Sequence, residues 1–140
     1  MVEIVPAKHD RLAKLESFFG QHWQKQDRKD ELYQYGRYIK VKGTSCGFFA
    51  LVPFGEKEGQ LRTLYLTEAF NPGLIMVMID WIKEDAQKNG YSRLWVESKD
   101  QNRETLFKTW GFEKQANPQD QQKKWWTLKL ELSTTVDKSC

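Results

Sequence analysis

The chain has 140 residues, 39% hydrophobic and 14% aromatic, which supplies one buried core and sets it apart from disordered chains. Its 22 Lys and Arg against 19 Asp and Glu leave a net charge of +3, too small to demand a nucleic-acid or anionic-membrane partner. The longest apolar run, Leu74 to Ile79, is far short of a membrane span, and Met1 to Asp10 has no leader pattern, so a cytoplasmic protein that does not enter a membrane is expected.

Val2 to Val5 is a short β-branched run ended by Pro6. From Asp10 the positions Leu12, Leu15, Phe18 and Phe19 recur at helical spacing toward a stop at Gly20. His22 to Gln34 is mostly polar, and a second helix there buries only a narrow stripe built on Trp23, Leu32 and Tyr33. Tyr38 to Lys42 alternates, with Ile39 and Val41 on one face; Gly43-Thr44-Ser45 supplies turn chemistry before a second strand, Cys46 to Val52. Pro53, Gly55 and Gly59 mark another turn, and Leu61 to Thr67 reads as a third antiparallel strand.

The period then changes. Leu74, Met78, Trp81, Ile82 and Asp85 to Ala86 lie at helical spacing, and Lys88-Asn89-Gly90 closes that helix with a cation and a glycine. Tyr91 to Ser98 returns to strand character, with Trp95 opposite Leu94 and Val96, as expected of a central strand covered on both faces. A short helix, Asn102 to Trp110, ends at Gly111, followed by strands at Phe112 to Gln115 and Lys124 to Leu132 around a polar loop at Ala116 to Gln122. One domain over residues 1–132 is expected, with Ser133 to Cys140 as a frayed, disordered tail.

Cys46 and Cys140 form no CxxC pair and no metal-ligand spacing with His9 or His22, so neither a disulfide framework nor a metal site is implied. Lys123-Lys124-Trp125-Trp126 admits two readings: a basic stacking patch for single-stranded nucleic acid, or an alternating strand with one Trp inward. The second is the simpler, and a nucleic-acid partner is not expected.

The order β-α-α-β-β-β-α-β-α-β-β resembles that of the GNAT N-acyltransferase superfamily. Residues 91–112, YSRLWVESKDQNRETLFKTWGF, are similar to its later half: a strand, a short helix bearing Leu-Phe, then Gly-Phe before the next strand. The resemblance implies an α/β (α+β) fold with a mixed, mainly antiparallel sheet flanked by helices. It also implies acetyl-CoA as cosubstrate and a small-molecule or protein amine as acceptor. In that family the strand at Leu61 to Thr67 offers main-chain groups to the pantetheine arm and thioester, here Leu64 to Leu66. The following loop and helix start bind the pyrophosphate, here Asn71, Gly73 and Leu74, and the short helix adds Asn102 and Phe107 beside the cofactor.

The family's pyrophosphate pattern is Arg or Gln, two residues, Gly, one residue, then Gly or Ala. Counting back from Gly90 puts Phe70, Gly73 and Ile75 there, one match; counting forward from the strand puts Asn71, Leu74 and Met76 there, with none. Asn71-Pro72-Gly73 is in its own right good helix-start chemistry, as N-cap, N1 and N2. Glycines let a phosphate approach the free N–H groups of a helix start, so both readings of the tripeptide, cap or anion cradle, stand at this point.

Direct attack by an amine on a thioester needs a base for the ammonium and donors for the thioester oxygen. Glu97, near the end of its strand, and Glu68, just past the preceding one, are the candidate bases, and Tyr65 is the candidate for positioning the acceptor. Each has a structural alternative: a solvated strand-end carboxylate, or a core aromatic. Many family members place a Tyr, as acid for the leaving thiolate, where this chain has Phe107. A thiol leaves tolerably without an acid, so the loss costs only about a couple of kcal/mol. The alternative to an enzyme is a module of the same fold that binds a protein or small regulator without turnover. An exposed late strand leaves a homodimer open.

Overall fold

The computed structural model describes residues 2–98, 100–115 and 124–130. In chain order they form β1 (Val2–Pro6), α1 (Leu12–Phe19), α2 (Lys29–Tyr35), β2 (Gly36–Val41), β3 (Thr44–Gly55), β4 (Glu58–Leu66), α3 (Ile75–Lys88), β5 (Arg93–Ser98), α4 (Gln101–Thr109), β6 (Glu113–Gln115) and β7 (Lys124–Lys129). Tighter 3-10 turns lie at Ala7–His9, Gly20–Lys25 and Pro72–Leu74. The element order is the expected one. The seven strands form one mixed sheet in the order β1-β2-β3-β4-β5-β7-β6, with β1–β2, β2–β3, β5–β7 and β6–β7 antiparallel and β4–β5 parallel. The expected loop at Ala116 to Gln122, Lys123, the end of the last strand at Leu132 and the tail Ser133 to Cys140 lie outside the described residues.

The chain divides into two compact units, Met1–Val52 with Arg62–Pro72, and Pro53–Leu61 with Gly73–Cys140. In the first, Phe48, Ala50 and Val52 alternate along β3 and so share a face. Leu15 and Phe19, four apart on α1, join them in a buried cluster with Ala7, Leu32 and Tyr38. Each large apolar side chain taken fully out of water contributes on the order of 2 kcal/mol. Leu12, expected on the buried stripe of α1, is 45% exposed, because it opens the helix where no neighbour covers it. Tyr38 and Ile39 are consecutive yet both buried, so β2 is covered on both faces here rather than on one.

The turn between β2 and β3 is Lys42-Gly43, both left-handed at φ 51° and 83°, and the pair Val41 to Thr44 closes it. This is one residue earlier than the expected Gly43-Thr44-Ser45. Positive φ at both central positions matches the strand twist of a two-residue hairpin, and Gly43 accepts it without strain.

The hydroxyl of Tyr38 is buried with no hydrogen-bond partner among the described residues. Burial, with the nearby charge of Asp10 and with Tyr33 adding, pushes its phenol up to about 12 from the usual 10.0. The unfolded state therefore gives up this proton first. The stability Tyr38 contributes is complete below about pH 10 and is lost as the pH rises through about 12. Tyr38→Phe removes a polar group that folding desolvates without compensation. Urea unfolding at pH 7 is expected to show no loss, or a gain of about 1 kcal/mol, with a shallower decline of stability above pH 10.

In the second unit, β5 alternates as a half-covered strand: Leu94, Val96 and Ser98 are buried, while Trp95 and Glu97 on the other face are half-buried. It pairs along its whole length with β7, from Arg93–Lys129 to Ser98–Lys124. In β7, Trp125, Trp126, Thr127 and Leu128 are all buried, so both tryptophans point into packed surroundings rather than one inward and one outward. On the Trp125 face the cover is aromatic. Trp125 packs on Trp95 and on Phe54, and the Trp95 indole N–H donates to Glu58 Oε1 at 2.6 Å. Met78, Ile79, Ile82 and Ala86 form the buried stripe of α3, while Trp81, expected on it, is half-buried. The Trp110 indole N–H, after α4, donates to Ile75 O at 3.1 Å and ties the end of α4 to the start of α3.

Candidate functional site

The middle of β4 holds a backbone anomaly that its β-branched, Leu- and Tyr-rich sequence does not announce. Thr63 has φ 51°, a left-handed conformation that a β-branched residue adopts only when its surroundings impose it. The parallel ladder between β4 and β5 covers three pairs, Glu58–Arg93, Gly59–Leu94 and Gln60–Trp95, and β4 then runs on through Thr63 to Leu66. These two strands are not laddered along their full length. Leu64, Tyr65 and Leu66 follow the kink directly, each half-buried.

Thr67 ends the strand with a compact knot of hydrogen bonds. Its N–H donates to Cys46 O at 3.0 Å, its hydroxyl donates to the same carbonyl at 3.2 Å, and it accepts from the Ala69 N–H at 3.2 Å. The Phe70 N–H donates to Thr67 O at 3.0 Å. A threonine hydroxyl that bonds backbone two residues on is a turn former, and this one sends the chain from β4 toward Asn71. Glu68 is exposed on that turn.

Tyr65 lies in an aromatic wall of the first unit. Its ring centroid is 4.7 Å from Phe19, 5.7 Å from Phe18 edge-on, and 5.7 Å from the imidazole of His22. Trp23 continues the wall, 5.8 Å from Phe19, with Lys29 Nζ 5.6 Å from its own ring centroid. Arg62, on the strand just before the kink, forms an ion pair with Glu31 of α2. Through Phe19 and the Arg62–Glu31 pair, this part of β4 is tied to the polar stretch from Trp23 to Tyr35. The spacing that places His22 beside Tyr65 comes from the 3-10 turn Gly20–Lys25, where the expected second helix does not yet begin.

Asn71, Pro72 and Gly73 are exposed, and a 3-10 turn over Pro72–Leu74 leads into α3. The α-helix proper starts at Ile75, with Leu74 in the capping position and no side-chain cap. Asn71 is therefore not its N-cap; the fixed φ of Pro72 starts a tighter first turn, common at helix starts. The first turn of this 14-residue helix has no acidic residue, so no carboxylate competes there for the positive end of its dipole.

Glu97 is half-buried on β5, in register with Trp125 of β7. In α4, Asn102 is exposed on the first turn, and Phe107 is buried with its ring 6.4 Å from Trp110 and 5.7 Å from Phe112. Those contacts give Phe107 a packing role in its unit. Asp100 caps the helix by accepting the Arg103 N–H at 2.8 Å, and Asp100→Ala is expected to lower stability by about 1 kcal/mol in urea unfolding. Leu64, Tyr65, Leu66, Glu68 and Asn71 belong to the first unit; Gly73, Leu74, Glu97, Asn102 and Phe107 belong to the second. Among the described residues no group of His, Cys, Asp and Glu is placed to hold a metal ion, and no helix is long and apolar enough to cross a membrane.

No protein-family model matches the chain, and no curated protein matches it in sequence. Solved structures do. The N-acetylglutamate synthase of Neisseria gonorrhoeae, solved with coenzyme A and N-acetyl-glutamate, superposes with a TM-score of 0.71 at 18% identity over 94% of this chain. The chain spans only 36% of that larger protein. The Campylobacter jejuni N-acetyltransferase PseH, solved with acetyl coenzyme A, gives 0.67 at 15% identity, with 94% of this chain and 100% of PseH covered. The GNAT domain of S. lividans PAT gives 0.68 at 13% identity, with 92% and 89% covered.

Proposed function

We propose that this chain, which has the GNAT fold, is an N-acyltransferase that moves the acetyl group of acetyl-CoA to the amine of a small molecule or protein. The observation that carries the reading is Thr63. A strained left-handed residue inside a strand redirects the main chain after it, and such strain persists where function uses it. In this reading the main chain of Leu64 to Leu66 receives the thioester arm, and its N–H groups stabilise charge on the carbonyl oxygen during attack. Acetyl-CoA supplies the activated acyl group as a thioester. Two relatives in fold, the N. gonorrhoeae and C. jejuni enzymes, were solved with coenzyme A or acetyl coenzyme A, which supports this choice of cosubstrate.

The start of α3 is the proposed place of the pyrophosphate. Its dipole, its exposed approach over Asn71, Pro72 and Gly73, and the absence of an acidic first turn suit an anion. With Leu74 and Ile75 where smaller residues bring a phosphate closer, binding is expected to be weaker than a glycine-rich loop allows. Asn102 and Phe107 are proposed to border the cofactor from α4, and Glu97 and Glu68 to serve as carboxylates near the reacting amine. Tyr65 positions the acceptor against the aromatic wall.

The first test is thermal. A ligand selective for the folded state stabilises it by about 2.7 kcal/mol at a hundredfold excess over its dissociation constant, so millimolar acetyl-CoA is expected to raise the melting temperature by several degrees. No shift with acetyl-CoA or with free CoA would count against the transferase and for a module without turnover.

A further inference from the structure

The acceptor side of the proposed reaction needs a group that takes a proton from an ammonium, and the aromatic wall around Tyr65 includes a ring with a basic nitrogen. Of the three rings described against Tyr65, those of Phe18, Phe19 and His22, the imidazole alone can accept a proton. We infer that His22 is the general base that deprotonates the acceptor amine. This rests on the transferase reading and adds to it a residue that the family resemblance did not nominate.

The local structure fixes the backbone that carries that imidazole. His22 lies in the 3-10 turn Gly20–Lys25, and the Gln26 side-chain amide donates to its carbonyl at 3.1 Å. The Gln26 N–H donates to Trp23 O at 3.1 Å, closing the turn behind it. Trp23, the next residue, packs against Phe19 and lies beneath the Lys29 ammonium. The His22 ring is half-buried beside Tyr65, two residues beyond the kink at Thr63 where the thioester is proposed to lie. Glu68, by contrast, is exposed on the turn after β4. A neutral imidazole presents one ring nitrogen as acceptor and can take a proton there, as a general base must.

The ammonium loses one proton to the imidazole, the amine lone pair forms the new C–N bond at the thioester carbon, and the C–S bond breaks as the tetrahedral centre collapses. The second amine proton passes to solvent, the leaving thiolate takes a proton from water, and the imidazolium returns its proton to solvent.

The experiment measures thiol release from acetyl-CoA with three primary-amine probes: 2-phenylethylamine, spermidine and a peptide with N-terminal alanine. For the probe that turns over fastest, His22→Gln is expected to lower kcat by about a hundredfold while KM for acetyl-CoA and the acetyl-CoA melting shift stay as they were. Added imidazole is expected to restore part of the rate to His22→Ala. A kcat in His22→Gln within about threefold of the unsubstituted chain, with the melting shift kept, overturns the role of His22 alone. Loss of both turnover and the melting shift, without rescue by imidazole, marks a packing role and also overturns it. If the unsubstituted chain shows neither a melting shift nor turnover with any probe, the transferase reading itself fails, and this role with it.

Discussion

Gly36→Ala is expected to destabilise the protein by at least about 3 kcal/mol and to lower its melting temperature by on the order of 10 °C. The backbone there is ordinary, at φ −82° and ψ 156°, so conformation does not demand glycine. Space does. A Cβ at Gly36 would lie 2.1 Å from the carbonyl oxygen of Leu32 and 2.1 Å from Cζ of Phe48. The first is backbone of α2 and the second belongs to a side chain with 0% exposure, so neither can withdraw without moving its element. β2 also begins at this residue, in register with Ala50, so a shift here disturbs the first ladder pair of the β2–β3 hairpin. Thermal and urea unfolding followed by circular dichroism would settle it, and a loss below about 1 kcal/mol would show that α2 and β2 yield more easily than their packing implies.

Thr63→Pro is expected to abolish stabilisation by acetyl-CoA and to cost more than about 3 kcal/mol of stability, while Thr63→Gly keeps the ligand response. Proline fixes φ near −65° and cannot reach the φ of 51° found at this position; glycine reaches it without strain. Glycine inside a strand ordinarily costs about 0.5–1 kcal/mol, so a Thr63→Gly variant at least as stable as the parent would be the signature of released strain. The pair of variants separates the backbone shape from the threonine side chain. Equal ligand shifts in both variants would detach the kink from cofactor binding.

The succession of elements was legible because each long segment keeps one hydrophobic period. Met78, Ile82 and Ala86 repeat at helical spacing, Leu94 and Val96 alternate, and Lys42-Gly43 lies where a hairpin needs left-handed residues, one step from the expected turn. Burial on both faces was harder to read. Tyr38 beside Ile39, and Trp125 beside Trp126, are neighbours that a half-covered strand would send to opposite environments, and only their burial in the folded chain shows that both sides are covered.

The site was legible in part. Tyr65 falls on β4 as expected, although the strand begins at Glu58 and ends at Leu66 rather than running from Leu61 to Thr67, and nothing in its composition marks Thr63 as left-handed. That conformation is imposed by tertiary structure on a residue whose own preference opposes it. His22 was visible only as a histidine in a polar stretch without metal-ligand spacing. Its meeting with Tyr65 depends on a turn that sequence periodicity does not encode. Asn71-Pro72-Gly73 was read correctly as a helix start, but the cap moved to Leu74 because the first turn tightened to 3-10 geometry.

The central claim is that the main chain just beyond Thr63 receives the thioester. Amide chemical-shift mapping of the 15N-labelled chain during titration with acetyl-CoA tests it directly. Saturable shifts are expected, largest at the N–H groups of Leu64, Tyr65 and Leu66 and at the start of α3, with smaller shifts at those strand positions when free CoA replaces the acetylated form. An unchanged spectrum at millimolar acetyl-CoA, or shifts that leave Leu64 to Leu66 untouched, would contradict it.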